Sequence, residues 1–304
     1  MRKEKIHMYL DWILNIQFTG LIVALEKGWY EDADLDVELI PWDGASNVAE
    51  ILSDDKKERN SVVSLEDNLF IQEIERGGEL KAVATMFQRS PIGLIVRADS
   101  EIQKPQDLLG KRIGVHVDGK TMVDYLLYSL GADTDAVKLV EVGDDLWMFE
   151  NGELDAYQSY AMIEPPALES KGLEVDFFPA IEWGYEVYSQ VMAVNSVFAE
   201  ERPEVLRRFL EATFRGWRHA AEYTDESARI VSEKVGDYDA DFNRRMLESM
   251  MPWITGDLPL GKFGTMRLDR WKKSIDIYRE MNLIETNPDP GEFVENTFLK
   301  VGGE

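Results

Sequence analysis

A chain of 304 residues is longer than one compact core usually organises, so two lobes or domains are expected. Its 58 Asp and Glu against 33 Lys and Arg leave a formal net charge of -25, which argues against nucleic acid or an anionic membrane surface as a partner. No cysteine is present, which excludes disulfide scaffolds, thiol nucleophiles and Cys-ligated zinc or iron–sulfur sites.

The N-terminus, MRKEKIHMYLDW, has the basic start of a signal peptide without the apolar stretch of about 7–15 residues that should follow. The expectation is either a mature or trimmed chain or one that stays in the cytoplasm. No apolar run of about 18 residues follows to make a spanning helix.

In chain order, Ile6 to Leu10 reads as a short strand and Phe18 to Lys27 as a helix before Gly28. Leu35 to Ile40 alternates strictly, as a half-buried strand should. This is a βαβ opening. Val62 to Leu65 and Lys81 to Met86 predict further strands, with a helix over Asp67 to Arg76 ended by Gly77-Gly78.

After a crossing strand, residues from about 97 to 192 read as a second such series. Strands are predicted at Ile92–Arg97, Lys111–Val115 and Val137–Val142, and helices at Ser100–Leu109, after Gly119-Lys120-Thr121 through Leu130, and at Leu146–Asn151. Such alternation predicts a mainly parallel sheet flanked by helices. From Pro203 the pattern turns helical: Glu204–Tyr223, Asp225–Val235, Asp239–Met251 and Leu268–Met281. The expected fold class is α/β. Residues 1–96 with 193–304 form lobe 1 and residues 97–192 form lobe 2, with hinge crossings near 88–97 and 190–195 and the helical C-terminal part packed on lobe 1.

Several segments carry a family likeness. They are Leu10-Asp11-Trp12-Ile13-Leu14-Asn15-Ile16-Gln17-Phe18-Thr19-Gly20 running on to Leu39, Phe87–Pro91, Pro105–Val115, Tyr160–Pro165 and Gly216–Ala220. Their order and spacing resemble the NMT1/THI5-like solute-binding proteins over nearly the whole chain. The resemblance implies a two-lobed type II periplasmic-binding-protein fold. It further implies the capture protein of an ATP-driven importer, an extracytoplasmic partner of an ABC permease, or the sensing module of a signalling partner. The ligand implied is a thiamine pyrimidine precursor or another small heteroaromatic compound, with a monomer as the default state.

One branch of that family is enzymatic and makes the thiamine pyrimidine from a histidine and pyridoxal phosphate. That histidine falls at Phe18 here, and the branch's cysteine-rich iron motif is absent. Phenylalanine has no ring nitrogen. The chain is therefore expected to be no enzyme and to need no cofactor or metal, the pyrimidine-synthesising reading remaining as the alternative.

A ligand in such a fold meets the carboxyl ends of strands and the N-termini of helices. Asp11 and Trp12 end the first strand; with the resemblance, Trp12 supplies a stacking face and Asp11 an acceptor, where otherwise they would be a helix cap and a core residue. Asn15 is a further donor and acceptor, and Phe18 stands at the diagnostic position of the family. Ser46 either caps a helix or faces the ligand. Ser64 and Glu66 occupy the next strand-to-helix turn, Glu66 being an acceptor or a solvated loop charge. Lys120 and Thr121, after Asp118-Gly119, resemble a small-anion cradle without P-loop spacing. Tyr157, Tyr160 and Glu164 are expected after a strand, leading to a rigid crossing at Pro165-Pro166, and Tyr188 in the loop before the return crossing. The three histidines, His7, His116 and His219, show no metal spacing, and His219 reads as packing.

Overall fold

The computed structural model describes residues 3–44, 48–53, 60–116, 119–143, 145–259 and 262–299. Two five-stranded sheets organise them. The first has the order β2 (Leu35–Ile40), β1 (Glu4–Tyr9), β3 (Ser61–Leu65), β10 (Val191–Asn195), β4 (Leu80–Thr85), and the second β7 (Lys138–Glu141), β6 (Arg112–Val115), β8 (Ala156–Tyr160), β5 (Ile92–Arg97), β9 (Val175–Pro179).

In the first sheet β1 (Glu4–Tyr9) pairs in parallel with β2 (Leu35–Ile40), Ile6 opposite Val37, and with β3 (Ser61–Leu65). Strand β2 buries Leu35 and Val37 and exposes Asp36 and Glu38, as its period of two requires. Strand β3 is buried at every residue because it sits mid-sheet beneath helices. Strand β10 (Val191–Asn195) runs antiparallel between β3 and β4 (Leu80–Thr85).

In the second sheet β6 (Arg112–Val115) is parallel to β7 (Lys138–Glu141) and to β8 (Ala156–Tyr160). Strand β5 (Ile92–Arg97) runs antiparallel to β8 and to β9 (Val175–Pro179). The apolar run of β5 lies mid-sheet, whereas β7, with Lys138 and Glu141 exposed, forms an edge that charge keeps solvated.

Both sheets are therefore mixed. The parallel character read from the alternation belongs to β1–β3 and β6–β8, and the crossing strands supply the antiparallel pairs. The expected division kept residues through 96 with lobe 1, yet β5 pairs only with strands of the second sheet, so the change of sheet precedes Ile92. Residues 86–91 and 180–190 link the sheets, and they are tied together where Ser90 Oγ and Ser189 Oγ share a hydrogen bond of 2.7 Å.

The helices are α1 (Thr19–Glu26), α2 (Trp29–Asp32), α3 (Asp67–Glu75), α4 (Lys120–Ser129), α5 (Trp147–Glu150), α6 (Glu164–Ser170), α7 (Ser196–Glu201), α8 (Pro203–Glu222), α9 (Thr224–Val235), α10 (Ala240–Thr255), α11 (Leu268–Glu280) and α12 (Pro290–Phe293). The predicted helix over Ser100–Leu109 shrinks to one 3-10 turn at Pro105–Leu108, where Asp107 accepts from the Gln103 and Lys104 amides at 3.0 and 3.2 Å. Pro165 and Pro166 open α6 and form no crossing; proline is tolerated in a first helical turn, where its missing N–H has no partner to lose.

The C-terminal helices pack on the first sheet's side of the molecule. Helix α8 starts on Pro203 and buries Val205, Leu206, Phe209, Leu210, Phe214 and Trp217 at helical spacing. It lies against α1 at a point where only glycines fit: a Cβ on Gly216 would stand 1.9 Å from the Gly20 carbonyl oxygen, and one on Gly20 would stand 2.3 Å from the Trp217 ring. Helix α11 lies on α3. The second core cluster runs from Val63, Leu65 and Ala82 of the first sheet into Leu94 and Ile113 of the second and Leu126 of α4, so the lobes share apolar packing at their junction.

Candidate functional site

The carboxyl ends of β1, β3, β6 and β8 face a common gap between the sheets. From the first lobe, Asp11 follows β1, and its Oδ1 accepts from Ser64 Oγ at 2.9 Å and from Gln190 Nε2 at 3.2 Å. Glu66, at the turn from β3 into α3, accepts on Oε1 from the Gln190 amide at 3.3 Å. The same oxygen accepts from the Tyr160 phenol at 2.5 Å. Tyr160 ends β8 of the other sheet, so this bond crosses the cleft.

On the second lobe Glu164, at the start of α6, accepts on Oε2 from Ser159 Oγ at 2.9 Å and from the Tyr160 amide at 2.8 Å. Burial pushes the Glu164 carboxyl above the usual carboxylate range, partly offset by the Tyr160 amide, by the charge of His116 and by the Ser159 hydroxyl.

An aromatic wall crosses the gap as well. The Trp12 ring stacks on Trp42 at 5.4 Å between centroids with 12° between planes, and the Trp42 amide donates to the Trp12 carbonyl at 3.1 Å. The edge of His116, just after β6, meets Trp12 at 4.7 Å, and Tyr157 of β8 meets His116 at 5.5 Å. The Tyr157 hydroxyl donates to the Gly143 carbonyl at 2.7 Å. Tyr160 in turn meets Phe87 edge-on at 5.8 Å.

Beside Trp12 lies a cavity of about 360 Å³. Trp12 and Asn15 line it from the first lobe, Ile163 and Glu164 from the second, and Asp237, Tyr238 and Asn243 from the segment around the α9–α10 connection. Burial raises the Asp237 and Tyr238 pKa values, as it does that of Glu164.

The arrangement combines flat aromatic faces with carboxylates whose hydrogen bonds are already oriented. It can hold a planar solute and fix it by its N–H donors. Among the described residues no group of His, Asp and Glu has the geometry to hold a metal ion.

Residues 15–227 match the family described as NMT1/THI5 like. The chain belongs to that family. Among its relatives is the formylaminopyrimidine-binding protein of Halalkalibacterium halodurans, 24% identical over 285 residues, which cover 90% of this chain and 84% of that one. Another is the 4-amino-5-hydroxymethyl-2-methylpyrimidine phosphate synthase of Legionella pneumophila, 22% identical over 98% of this chain and 93% of that one. The NMT1/THI5-like relatives thus include both binding proteins and an enzyme. In fold, the chain is similar to the alkanesulfonate-binding protein SsuA from Xanthomonas axonopodis pv. citri, with a TM-score of 0.76 at 12% identity, covering 98% of this chain and 100% of that one. The fold is that of the periplasmic binding proteins, and no described helix of this NMT1/THI5-like chain is long and apolar enough to cross a membrane.

The sequence-predicted residues divide into two sets. Asp11, Trp12, Ser64, Glu66, Tyr160 and Glu164 are brought together around the gap; Tyr157 and Tyr160 lie on β8 itself and do not follow it, and Tyr157 reaches the gap only through His116, its own ring being buried in the third core cluster with Phe149 and Leu168. Asn15 faces the side cavity, its Oδ1 also capping the turn Ile16–Phe18 through the Gln17 amide at 2.9 Å. Thr121 is in the first turn of α4, and its hydroxyl accepts from Asn68 Nδ2 of the first lobe at 3.3 Å.

Lys120 is no free cation for an anion cradle, because its ammonium pairs with Asp124 one turn along the same helix. Gly119 serves packing: a Cβ there would fall 1.6 Å from Gln158 Oε1, the oxygen that accepts from the His116 amide at 2.8 Å. Phe18 is wholly buried in the first core cluster with Leu21, Ile22 and Trp217. Tyr188 is buried under the Arg270 guanidinium, 4.2 Å from its ring, and its hydroxyl accepts from the Arg267 amide at 2.8 Å. Its place is the packing between the return crossing and α11. Ser46 lies outside the described residues.

His116, Gln190, Gln158 and Trp42 were not among the predicted site residues. His116 directly follows a strand, so the positional rule that selected Asp11 selects it too. Nothing local marks Gln190, whose role comes from the return of the chain into the first sheet.

Proposed function

We propose that this NMT1/THI5-like protein is the solute-capturing component of an ABC importer, closing two lobes on a small heteroaromatic ligand, foremost a pyrimidine precursor of thiamine. The observation that carries the reading is the pairing of an aromatic wall, Trp12 with His116 and Tyr157, with acceptors from both lobes, Asp11, Glu66 and Glu164. Stacking supplies apolar contact to a flat ring, and the carboxylates orient its N–H groups. The name of the Halalkalibacterium relative supports an aminopyrimidine as the ligand. In this reading the protein acts outside the cytoplasm as a monomer, and the permease recognises its closed form.

Closure follows from contact. A ligand that touches both lobes favours the shut state by its differential affinity for that state. Trp12 and Asp11 hold the ring from lobe 1, Tyr160 and Glu164 complete the site from lobe 2, and Ser64 orients Asp11.

The enzyme reading rests on the Legionella relative. Against it stands Phe18, a buried hydrocarbon ring at the position where the resemblance puts the consumed histidine, in a chain without cysteine. Isothermal calorimetry with 4-amino-5-hydroxymethyl-2-methylpyrimidine tests capture. Saturable one-to-one binding is expected, with the compound recovered unchanged.

A further inference from the structure

Gln190 stands where the chain re-enters the first sheet, one residue before β10, and it is completely buried. Its backbone has φ 51°, in the left-handed region that a residue with a Cβ seldom adopts. The strain is held by three bonds. The Gln190 amide donates to Glu66 Oε1 at 3.3 Å, its carbonyl accepts from the Met86 amide at 3.0 Å, and its Nε2 donates to Asp11 Oδ1 at 3.2 Å.

The last of these fixes the carboxamide. Asp11 already accepts from Ser64 and can only accept when ionised, so the NH2 end of Gln190 must face it and the oxygen must be the other end. Among the described residues no donor reaches Gln190 Oε1, although the atom is out of contact with solvent. A buried acceptor left unpaired is costly, and in a native protein it calls for a specific explanation. Here the residue is tied to two carboxylates of the cleft, to Asp11 through its side-chain NH2 and to Glu66 through its backbone amide.

We propose that Gln190 is a specificity residue of the cleft, whose Oε1 accepts a hydrogen bond from an N–H donor of the bound solute. Asp11, Glu66 and Gln190 then present an acceptor-only floor. That floor favours amino-substituted heteroaromatic rings and rejects solutes whose polar end is acceptor-only, such as sulfonates. The inference rests on the proposed reading that the cleft holds a small heteroaromatic solute, and it adds which edge of that solute the first lobe reads.

The test compares the unmodified protein with Gln190→Met and Gln190→Leu, which delete the acceptor and retain an unbranched or similarly sized side chain. The probes are 4-amino-5-hydroxymethyl-2-methylpyrimidine, its analogue with hydrogen in place of the exocyclic amine, lumichrome as a second ring with N–H donors, and ethanesulfonate. Ligand-free thermal melts establish that each variant is folded. Should one variant fail to fold, the other carries the comparison. Should both fail, the amino-to-deamino affinity ratio of the unmodified protein decides, a ratio near one overturning the inference.

The expected result is a loss of about tenfold to hundredfold for the aminopyrimidine in both variants. The deaminated analogue should bind unmodified and variant proteins alike. Equal losses for both probes, or none, would overturn the inference and leave pyrimidine capture standing. If lumichrome binds and the aminopyrimidine does not, and the variants lose lumichrome affinity, the acceptor role holds while the pyrimidine reading fails. Tight binding of ethanesulfonate alone would overturn both.

Discussion

Tyr160 of the second sheet donates its phenolic hydrogen to Glu66 of the first across 2.5 Å, and the same Glu66 oxygen accepts from the amide of Gln190. The Tyr160 amide meanwhile donates to Glu164. One tyrosine thus joins the carboxylates of both lobes. A charge-assisted bond of this kind contributes roughly 1.5–3 kcal/mol, enough to bias an opening equilibrium by an order of magnitude or more.

Tyr160→Phe keeps the ring and removes this bond. The expected outcome is a more open ligand-free protein, read as a larger radius of gyration in small-angle scattering, and ligand affinity lower by about tenfold. An unchanged scattering curve together with unchanged affinity would mean that the bond does not hold the lobes together.

Trp12 is half-buried between Trp42 and the His116 edge. Replacing it by alanine removes a stacking face and should weaken binding by at least about tenfold while the protein stays folded. Retained cooperative melting with lost calorimetric heat is the expected pair of observations. Loss of the melting transition would assign Trp12 to the core instead.

Asp67 supplies a pH signature unrelated to the ligand. It is fully buried at the start of α3 and accepts from the Tyr188 amide, from Ser274 and from the Tyr278 hydroxyl, yet burial still pushes its pKa up to about 6 from 3.8. An acid with a raised folded pKa binds its proton more tightly in the folded chain than in the unfolded one. Its contribution is therefore most favourable on the acid side of the window and falls as pH rises through the folded value, by about 2 kcal/mol between about pH 4.5 and 6.5. Chemical denaturation at these two pH values should show that fall diminished in Asp67→Asn. An identical fall in both proteins would place the titration elsewhere.

Gly216→Ala tests the close contact of α8 with α1. The added Cβ meets the Gly20 backbone oxygen, which cannot rotate away, so α8 and α1 must part. A loss of about 1–3 kcal/mol in unfolding free energy is expected, as for other overpacked cores. Stability equal to that of the unmodified protein would contradict the close approach.

Much of this architecture is legible in the residues. The strict alternation of Leu35–Ile40 sets β2 beside β1, and the spacing of Val205, Phe209 and Trp217 sets the buried stripe of α8. Strand direction is not legible, because Ile92–Arg97 and Val191–Asn195 have the same apolar pattern whether they run with their neighbours or against them. The site divides in the same way. Asp11 and Glu66 follow strands and Ser64 lies near the end of one, so position finds them, whereas Gln190 depends on a left-handed residue at a crossing. Tyr188 misled because an aromatic in a loop looks available, until Arg270 and Trp271 of α11 are seen to enclose it.

The most direct measurement of the central claim is a thermal-shift and calorimetry panel of thiamine pyrimidine precursors, flavins, sulfonates and amino acids on the purified protein. Capture predicts one clear stabiliser, an aminopyrimidine, whose excess raises the melting temperature by mass action and which is recovered intact. A flat panel, with pyridoxal phosphate incubation consuming the protein and releasing a pyrimidine, would contradict it.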